Sequence, residues 1–279
     1  MIKHILVYKI HNRGLRGLDL ETRMMVSTKN RVVFGLIEFD TVTFEVEKEW
    51  DHGRTTYLIG KVLEHRYDPS VLNIPGHNIT FVGKRDYSYL DEEEFVDICN
   101  DGEEDEFEDT DDFLTDEYVF DDYTSHSFSE GDTDPIREAL EASSRKEEYN
   151  ILCALWEDQP MCIDALVHIG HIYLRRNNLN AAERFYSIAL TIAERNIPIF
   201  FDGVLPYVRL ENRPYHRALH GMCLTRWRQG RFAEAMAIAE KGYLLNPMDN
   251  IGFRFLLGPI TKHQSWEEYA AEEERRQPQ

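Results

Sequence analysis

The chain has 279 residues, of which 42% are apolar, so it is long enough for two modest domains that each have a core. No apolar run approaches the roughly 20 residues that cross a bilayer, and residues 1–10 are too short and too charged for a secretory signal. The composition therefore argues against a membrane protein and predicts a cytoplasmic one.

The negative charge is concentrated in one segment. The net charge is −20, yet residues 91–134 contain 21 Asp and Glu and no Lys or Arg. The remainder of the chain has 30 acidic and 31 basic residues, which is close to neutral. The overall acidity therefore says little about the two flanking regions. The four cysteines, Cys99, Cys153, Cys162 and Cys223, form no CxxC pair and favour a reducing compartment.

Residues 1–88 have the pattern of a β-rich domain. Residues 5–10 form a short apolar run, and residues 41–47 alternate strictly, with Val42, Phe44 and Val46 on one face. Further strands are predicted at residues 55–63 and 78–82, with turn-forming residues between them. Five or six short strands in this length predict a small barrel or sandwich.

Two glycines and two arginines follow the first predicted strand, in residues 11–18. Backbone N–H groups in such a loop can hold a phosphate. The segment lacks the Lys-Ser/Thr pair of a P-loop and the Rossmann glycine spacing. A hairpin loop is the preferred interpretation.

Residues 89–134 are predicted to be an acidic, flexible linker, because self-repulsion opposes a packed core. Aromatic side chains are spaced through the acidic residues, which suits docking onto a basic, partly apolar surface. The partner could be another protein or the basic groove described below. The aromatic residues of this candidate docking segment are Phe107, Phe113, Tyr118, Phe120 and Tyr123.

Residues 135–279 have helical periodicity. Asp134-Pro135 is a typical helix start, and Leu166, Ile169, Gly170 and Tyr173 lie on one helical face. Two later helices carry small or aromatic residues at matching positions. Ala182, Tyr186 and Ala189 in the first helix correspond to Ala235, Ala239 and Gly242 in the second, and each matched pair is 53 residues apart.

The pattern resembles the tetratricopeptide (TPR) consensus. The spacing of 53 residues exceeds one repeat of about 34 residues by 19. Residues 195–213, which are 19 residues long, interrupt the helical periodicity and account for the difference. The Asn212-Arg-Pro-Tyr and Leu245-Asn-Pro blocks are similar to those of a bacterial TPR group related to the suppressor-of-tumorigenicity-7 family. This resemblance spans about residues 136–260 and implies a helical-repeat fold with no catalytic residues.

The predicted fold class is therefore α+β and multidomain: a β-rich domain, an acidic linker and a TPR-like helical domain. In such a stack the first helix of each hairpin lines the inner groove. That register predicts a basic strip suited to an acidic peptide or a free carboxylate. Its residues are His171, Arg175, Arg217, His220 and Arg228.

The leading functional hypothesis is a protein-interaction scaffold without catalysis, cofactor or metal. GxSxG and HExxH motifs are absent, and His216 and His220 lack the intervening Glu of a zinc protease. Two alternatives stay open: a regulator or inhibitor of a nucleic-acid-binding protein that acts through residues 91–134, and an enzyme with its site in the N-terminal β domain. Direct binding of nucleic acid or membrane is not expected.

Overall fold

The computed structural model describes residues 1–11, 13–30, 36–68, 71, 75–87, 114–121 and 134–276. The chain divides into two compact units, Met1–Ile74 and Pro75–Gln279, called here the barrel unit and the helical unit. The predicted α+β, two-part architecture is confirmed. Among the described residues, no helix is long and apolar enough to cross a membrane.

The barrel unit is a closed five-stranded barrel, so the structure selects the barrel over the sandwich. Its strands are β1 (Ile2–His11), β2 (Gly14–Asp19), β3 (Met25–Lys29), β4 (Asp40–His52) and β5 (Thr55–Tyr67). They close in the order β1-β2-β3-β5-β4, with β3 parallel to β5 and the other pairs antiparallel. A small five-stranded barrel of this kind belongs to the Greek-key class that includes the OB-fold.

Alternating apolar residues fill the barrel interior. The alternation of Val42 and Phe44 predicted from the sequence places both side chains in the core, and Val46 packs against it in part. The fully buried members of this core are Ile5, Val7, Leu15, Val26, Val42, Phe44 and Leu58. The glycine- and arginine-containing segment after β1 is not an open phosphate loop, because its residues from Gly14 onward form β2.

The helical unit begins with two antiparallel strands, β6 (Ile79–Asp86) and β7 (Leu114–Phe120). The sequence predicted a domain boundary at residue 88 and a linker to residue 134. The structure differs, because residues from both sides of that boundary pair in one sheet. Two hydrogen bonds join His77 to the helical region that follows. Its backbone N–H donates to the Ile192 carbonyl, and its ring Nε2 lies 2.7 Å from the Met161 carbonyl oxygen.

Eight α-helices follow within residues 134–276, the last range that the structure describes: α1 (Pro135–Leu140), α2 (Arg145–Asp158), α3 (Ile163–Arg175), α4 (Leu179–Glu194), α5 (Arg213–Arg228), α6 (Phe232–Leu245), α7 (Arg254–Thr261) and α8 (Trp266–Arg276). Asp134, Ser144 and Asn178 cap α1, α2 and α4 by accepting backbone N–H bonds. The pairs α3–α4 and α5–α6 form two hairpins. The helical interruption that the sequence predicted lies between Glu194 and Arg213.

The two hairpins pack through one tyrosine. Tyr186 of α4 is fully buried, between Gly170 of α3 and Gly221 of α5. A Cβ atom at Gly170 would lie 2.7 Å from the Tyr186 ring, and one at Gly221 would lie 2.3 Å from it. Glycine at both positions therefore lets three helices approach the same ring closely.

Candidate functional site

The arginines of the predicted basic groove, on α3 and α5, are bound to neighbours in the fold. Arg175 pairs with Glu148 at 2.9 Å. Arg217 pairs at 3.2 Å with Asp164, whose carboxylate is buried. The Arg228 guanidinium donates to the Leu174 carbonyl and the Asn177 side chain, at 3.2 and 3.0 Å. These internal partners consume much of the hydrogen-bonding capacity expected to serve a ligand.

The histidines of the groove do not supply positive charge either. Burial lowers the pKa of His171 to about 3, with a further contribution from the charges of His168 and Arg217. Burial also lowers the pKa of His220 to about 4. Both imidazoles are therefore neutral at pH 7. They pack against Tyr186 and Phe253 respectively. The inner face thus carries less positive charge than the prediction of an acidic partner assumed, because two of its three arginines are paired with carboxylates.

His216 and His220 do not form a shared metal site. The His216 ring is fully buried and bonds through Nε2 to the Leu205 carbonyl, whereas His220 contacts Phe253. Within the described ranges, no group of three or more His, Cys, Asp or Glu side chains could hold a metal ion.

Buried His216 predicts loss of stability in acid. Burial lowers its pKa to about 4, below the value of about 6.5 in an unfolded chain, although the Leu205 contact opposes the shift. As pH falls below 6.5, the unfolded state binds a proton that the folded state excludes, so stability is lost between pH 6.5 and pH 4. From pH 7 to pH 5 we expect this residue to contribute a loss of about 2 kcal/mol.

Urea unfolding followed by circular dichroism at 222 nm, at both pH values, measures this loss. His216→Gln should show a pH dependence smaller by that amount, while the other buried histidines titrate as before. An identical pH dependence in the two proteins would contradict the assignment to His216.

The acidic docking segment is only partly within the described residues. Tyr118 and Phe120 lie in β7, where Phe120 is buried against Tyr215 with ring centroids 5.2 Å apart. Tyr118 packs between Phe81 and Phe201. These two aromatics therefore hold the helical unit together and are not a docking surface. Phe107, Phe113 and Tyr123 lie outside the described residues, so their predicted role stays a prediction.

A more open site lies between residues 197–204 and α6. This cleft has a volume of about 780 Å³. Its apolar lining includes Ile197, Pro198, Ile199, Phe201, Val204, Leu244 and Leu245, and its acidic lining is Glu194, Asp202 and Glu240. The basic residue in its wall, Lys241, pairs with Glu194 at 2.9 Å. The cleft is therefore apolar with a net negative wall.

Backbone hydrogen bonds fix one end of the segment that forms the cleft. The Val204 N–H donates to the Asp116 carbonyl, and the Tyr118 N–H donates to the Val204 carbonyl, both at 2.9 Å. The Leu205 N–H donates to the Leu245 carbonyl at 2.8 Å, which joins the same segment to the end of α6. Gly203 is required here, because a Cβ atom would lie 2.6 Å from the Tyr118 ring.

The other end of this segment presents apolar side chains to solvent. Ile199 and Phe200 are each 94% exposed. Exposed apolar side chains that adjoin an apolar cleft mark interaction surfaces more often than isolated ones do. The sequence contained the signal, since Ile197-Pro-Ile-Phe-Phe is unusually apolar for a loop. By its sequence this segment indicates only a break between helices, because the tertiary structure decides which of its side chains stay exposed.

Comparison with known families corrects the family assignment. Residues 138–264, a little under half of the chain, match the sequence model of a family described as transcriptional repressor TCF25. The predicted membership of a TPR group, with its similarity to the suppressor-of-tumorigenicity-7 family, is therefore wrong. Small residues opposite aromatic ones meet the packing needs of helix hairpins in general, so that pattern does not identify one family. The chain matches no curated protein.

Proposed function

We propose that this chain is a protein-interaction module without catalysis of its own, and that its helical unit binds a partner at the cleft beside α6. The observation that carries the proposal is the nearly complete exposure of Ile199 and Phe200 next to an apolar cleft. Leaving such side chains in water forgoes about 1.5–3 kcal/mol each relative to burial. A partner that covers them gains this free energy on binding.

The charge of the cleft wall specifies the chemistry of the partner. Glu194, Asp202 and Glu240 line the cleft, and Lys241 neutralises one of them. A matching segment therefore carries an apolar side chain for the cleft and Lys or Arg at its edges. This partner is opposite in charge to the acidic peptide that the sequence predicted for the groove.

The family match favours a regulatory role for this interaction. The matched family is described as a transcriptional repressor, and repression can be exerted through binding alone. The proposed module would then act by holding another protein in a regulatory assembly. The alternative role of residues 91–134, as a regulator of a nucleic-acid-binding protein, stays a prediction because most of that segment lies outside the described residues.

Site-specific photo-crosslinking tests the cleft. A benzophenone amino acid placed at Phe200 of the full chain should give covalent adducts with a partner protein in cells. The same group at Phe255, which is 61% exposed elsewhere in the helical unit, is the matched control. Adducts should be strong at position 200 and weak at position 255, and equal yields at both would contradict the proposal.

A charge reversal tests the chemistry of the partner. Glu240→Lys should reduce the adduct yield at position 200 several-fold, because it repels a basic segment. Glu272→Lys, at a residue of α8 that does not line the cleft, is the control and should leave the yield unchanged. A yield that rises with Glu240→Lys would show an acidic partner instead.

A further inference from the structure

The barrel carries an aromatic pair on its outer surface. Trp50 of β4 lies directly opposite Tyr57 of β5, and their rings stack with centroids 5.6 Å apart and planes 16° from parallel. Trp50 is 42% exposed, and neither ring belongs to the barrel core. The barrel interior therefore does not require these rings. Each ring covers one face of the other, and a ligand can reach the exposed part of Trp50.

Strand register places basic residues on the same surface. One row runs across β2, β3, β5 and β4 and contains Arg16, Ser27, Tyr57 and Trp50. At a strand spacing of about 4.8 Å this row is about 14 Å wide. The next row contains Lys29, Ile59 and Lys48. These two rows are called the outer barrel face.

The basic side chains of this face are exposed and close to the rings. Arg16, Lys29 and Lys48 are all exposed to solvent. The Lys48 ammonium lies 5.7 Å from the centroid of the Trp50 ring. A base that stacks on this face of Trp50 would displace the ammonium from the ring, and the phosphate of that base would lie within reach of the flexible Lys48 side chain.

Three of the nearby acids have partners of their own, whereas Glu47 lies exposed beside Lys48. Glu49 pairs with Lys3 at 3.2 Å, Asp51 accepts a bond from the Thr56 hydroxyl at 2.7 Å, and Glu45 pairs with Lys61 at 2.8 Å. None of the seven residues in the two rows is acidic. The face is thus locally positive, although the chain carries a net charge of −20.

We propose that the outer barrel face binds single-stranded nucleic acid. Bases stack on Trp50 and Tyr57, and phosphates contact Lys48 and the basic side chains of the neighbouring strands. Stacking of this kind requires unpaired bases, which excludes a duplex as the preferred ligand.

The proposal differs from the sequence-based expectation that the chain does not bind nucleic acid directly. The barrel unit has 11 Lys and Arg and 10 Asp and Glu, a net charge of +1, so its own surface does not repel a phosphate backbone in the way the whole chain suggests. The side chains of the outer barrel face carry the proposal, and the barrel fold does not, because one fold serves many different functions.

Fluorescence anisotropy with labelled fifteen-nucleotide oligo(dT) and oligo(U), at 50 mM NaCl, tests the proposal on the full chain. We expect both strands or one of them to bind, and the comparison shows whether DNA or RNA is preferred. Trp50→Ala combined with Tyr57→Ala should raise the dissociation constant at least ten-fold. Trp50→Phe keeps an aromatic ring and should retain most of the affinity.

Two further variants separate binding from folding. Leu63→Ala removes an apolar side chain that is 50% exposed on β5 and should not change affinity. Lys29→Glu with Lys48→Glu should weaken binding and reduce its dependence on salt. The proposal is overturned if neither strand binds, if a duplex binds as tightly as the single strand, or if the double alanine variant, folded by circular dichroism, binds like the wild type.

Discussion

Replacing Asn212 by alanine should lower the unfolding free energy of the helical unit by about 3 kcal/mol. The Asn212 side chain is fully buried where α5 begins. Its Oδ1 accepts a hydrogen bond from the Phe120 N–H at 3.1 Å. Its Nδ2 donates to the carbonyls of Tyr118 and Pro206, at 2.9 and 3.1 Å.

The expected loss is large because alanine leaves three backbone groups without a partner. A buried polar group that loses its partner costs about 1–3 kcal/mol, and these groups share one site, so their costs do not simply add. Two of the three groups belong to β7. The substitution should therefore also loosen β7 from the helices, which amide hydrogen exchange at Phe120 can detect.

Urea unfolding followed at 222 nm measures the free energy. Asn180→Ala is the matched control: Asn180 is exposed within α4, where alanine has the higher helix propensity, so stability should be unchanged or slightly raised. Asn212→Asp is a second probe. It keeps the acceptor for Phe120 but loses both donated bonds, so it should not restore the wild-type value. A free-energy change below 1 kcal/mol for Asn212→Ala would contradict this account.

Replacing Gly221 by alanine should also lower the unfolding free energy by about 3 kcal/mol, near the upper end for overpacked cores. The added Cβ atom would lie 2.3 Å from the Tyr186 ring and 2.7 Å from its hydroxyl oxygen. The ring cannot move away, because Gly170 lies against it from α3. Either α5 shifts or the tyrosine adopts a strained rotamer, and both outcomes separate the two hairpins.

Gly258→Ala is the matched control for this prediction. Gly258 is also within a helix, α7, but a Cβ atom there would meet nothing within 4 Å. Alanine at this position should be neutral or stabilise by up to about 1 kcal/mol, because it removes the helix cost of glycine. The midpoint temperature of thermal unfolding should therefore fall for Gly221→Ala and stay equal or rise for Gly258→Ala. Equal stability of Gly221→Ala and the wild type would show that the interface is looser than the distances indicate.

A double variant connects Gly221 to its neighbour. Tyr186→Phe combined with Gly221→Ala removes the hydroxyl oxygen that lies 2.7 Å from the added Cβ atom, although the closest ring carbon at 2.3 Å remains. It should recover only part of the lost stability. Full recovery would mean that the hydroxyl, and not the ring, sets the helix spacing.

The barrel unit shows what local pattern can and cannot specify. Alternation in residues 41–47 correctly predicted which face of β4 is buried, because side chains in a strand point to opposite sides in turn. The sequence could not decide between a barrel and a sandwich. That decision depends on the parallel pairing of β3 with β5, between residues 30 positions apart, and no local pattern records it.

The candidate sites show the same division more sharply. Sequence position predicted that Arg175, Arg217 and Arg228 share an inner face, but the partners that engage them come from other elements, 27 to 54 residues away in the chain. The sequence shows that the chain outside residues 91–134 is close to neutral, but it does not show which basic side chains gather on the outer barrel face.

The sequence by itself determined the helices of the two hairpins, the helix start at Asp134, the interruption after α4 and the buried face of β4, since these depend on residues a few positions apart. Only the tertiary structure decided which loop side chains stay exposed, which charges are neutralised and which strands close the barrel. These depend on residues brought together from distant parts of the chain, such as Asn212 with Phe120. Function depends on those distant contacts, which is why the cleft and the outer barrel face emerged only from the structure.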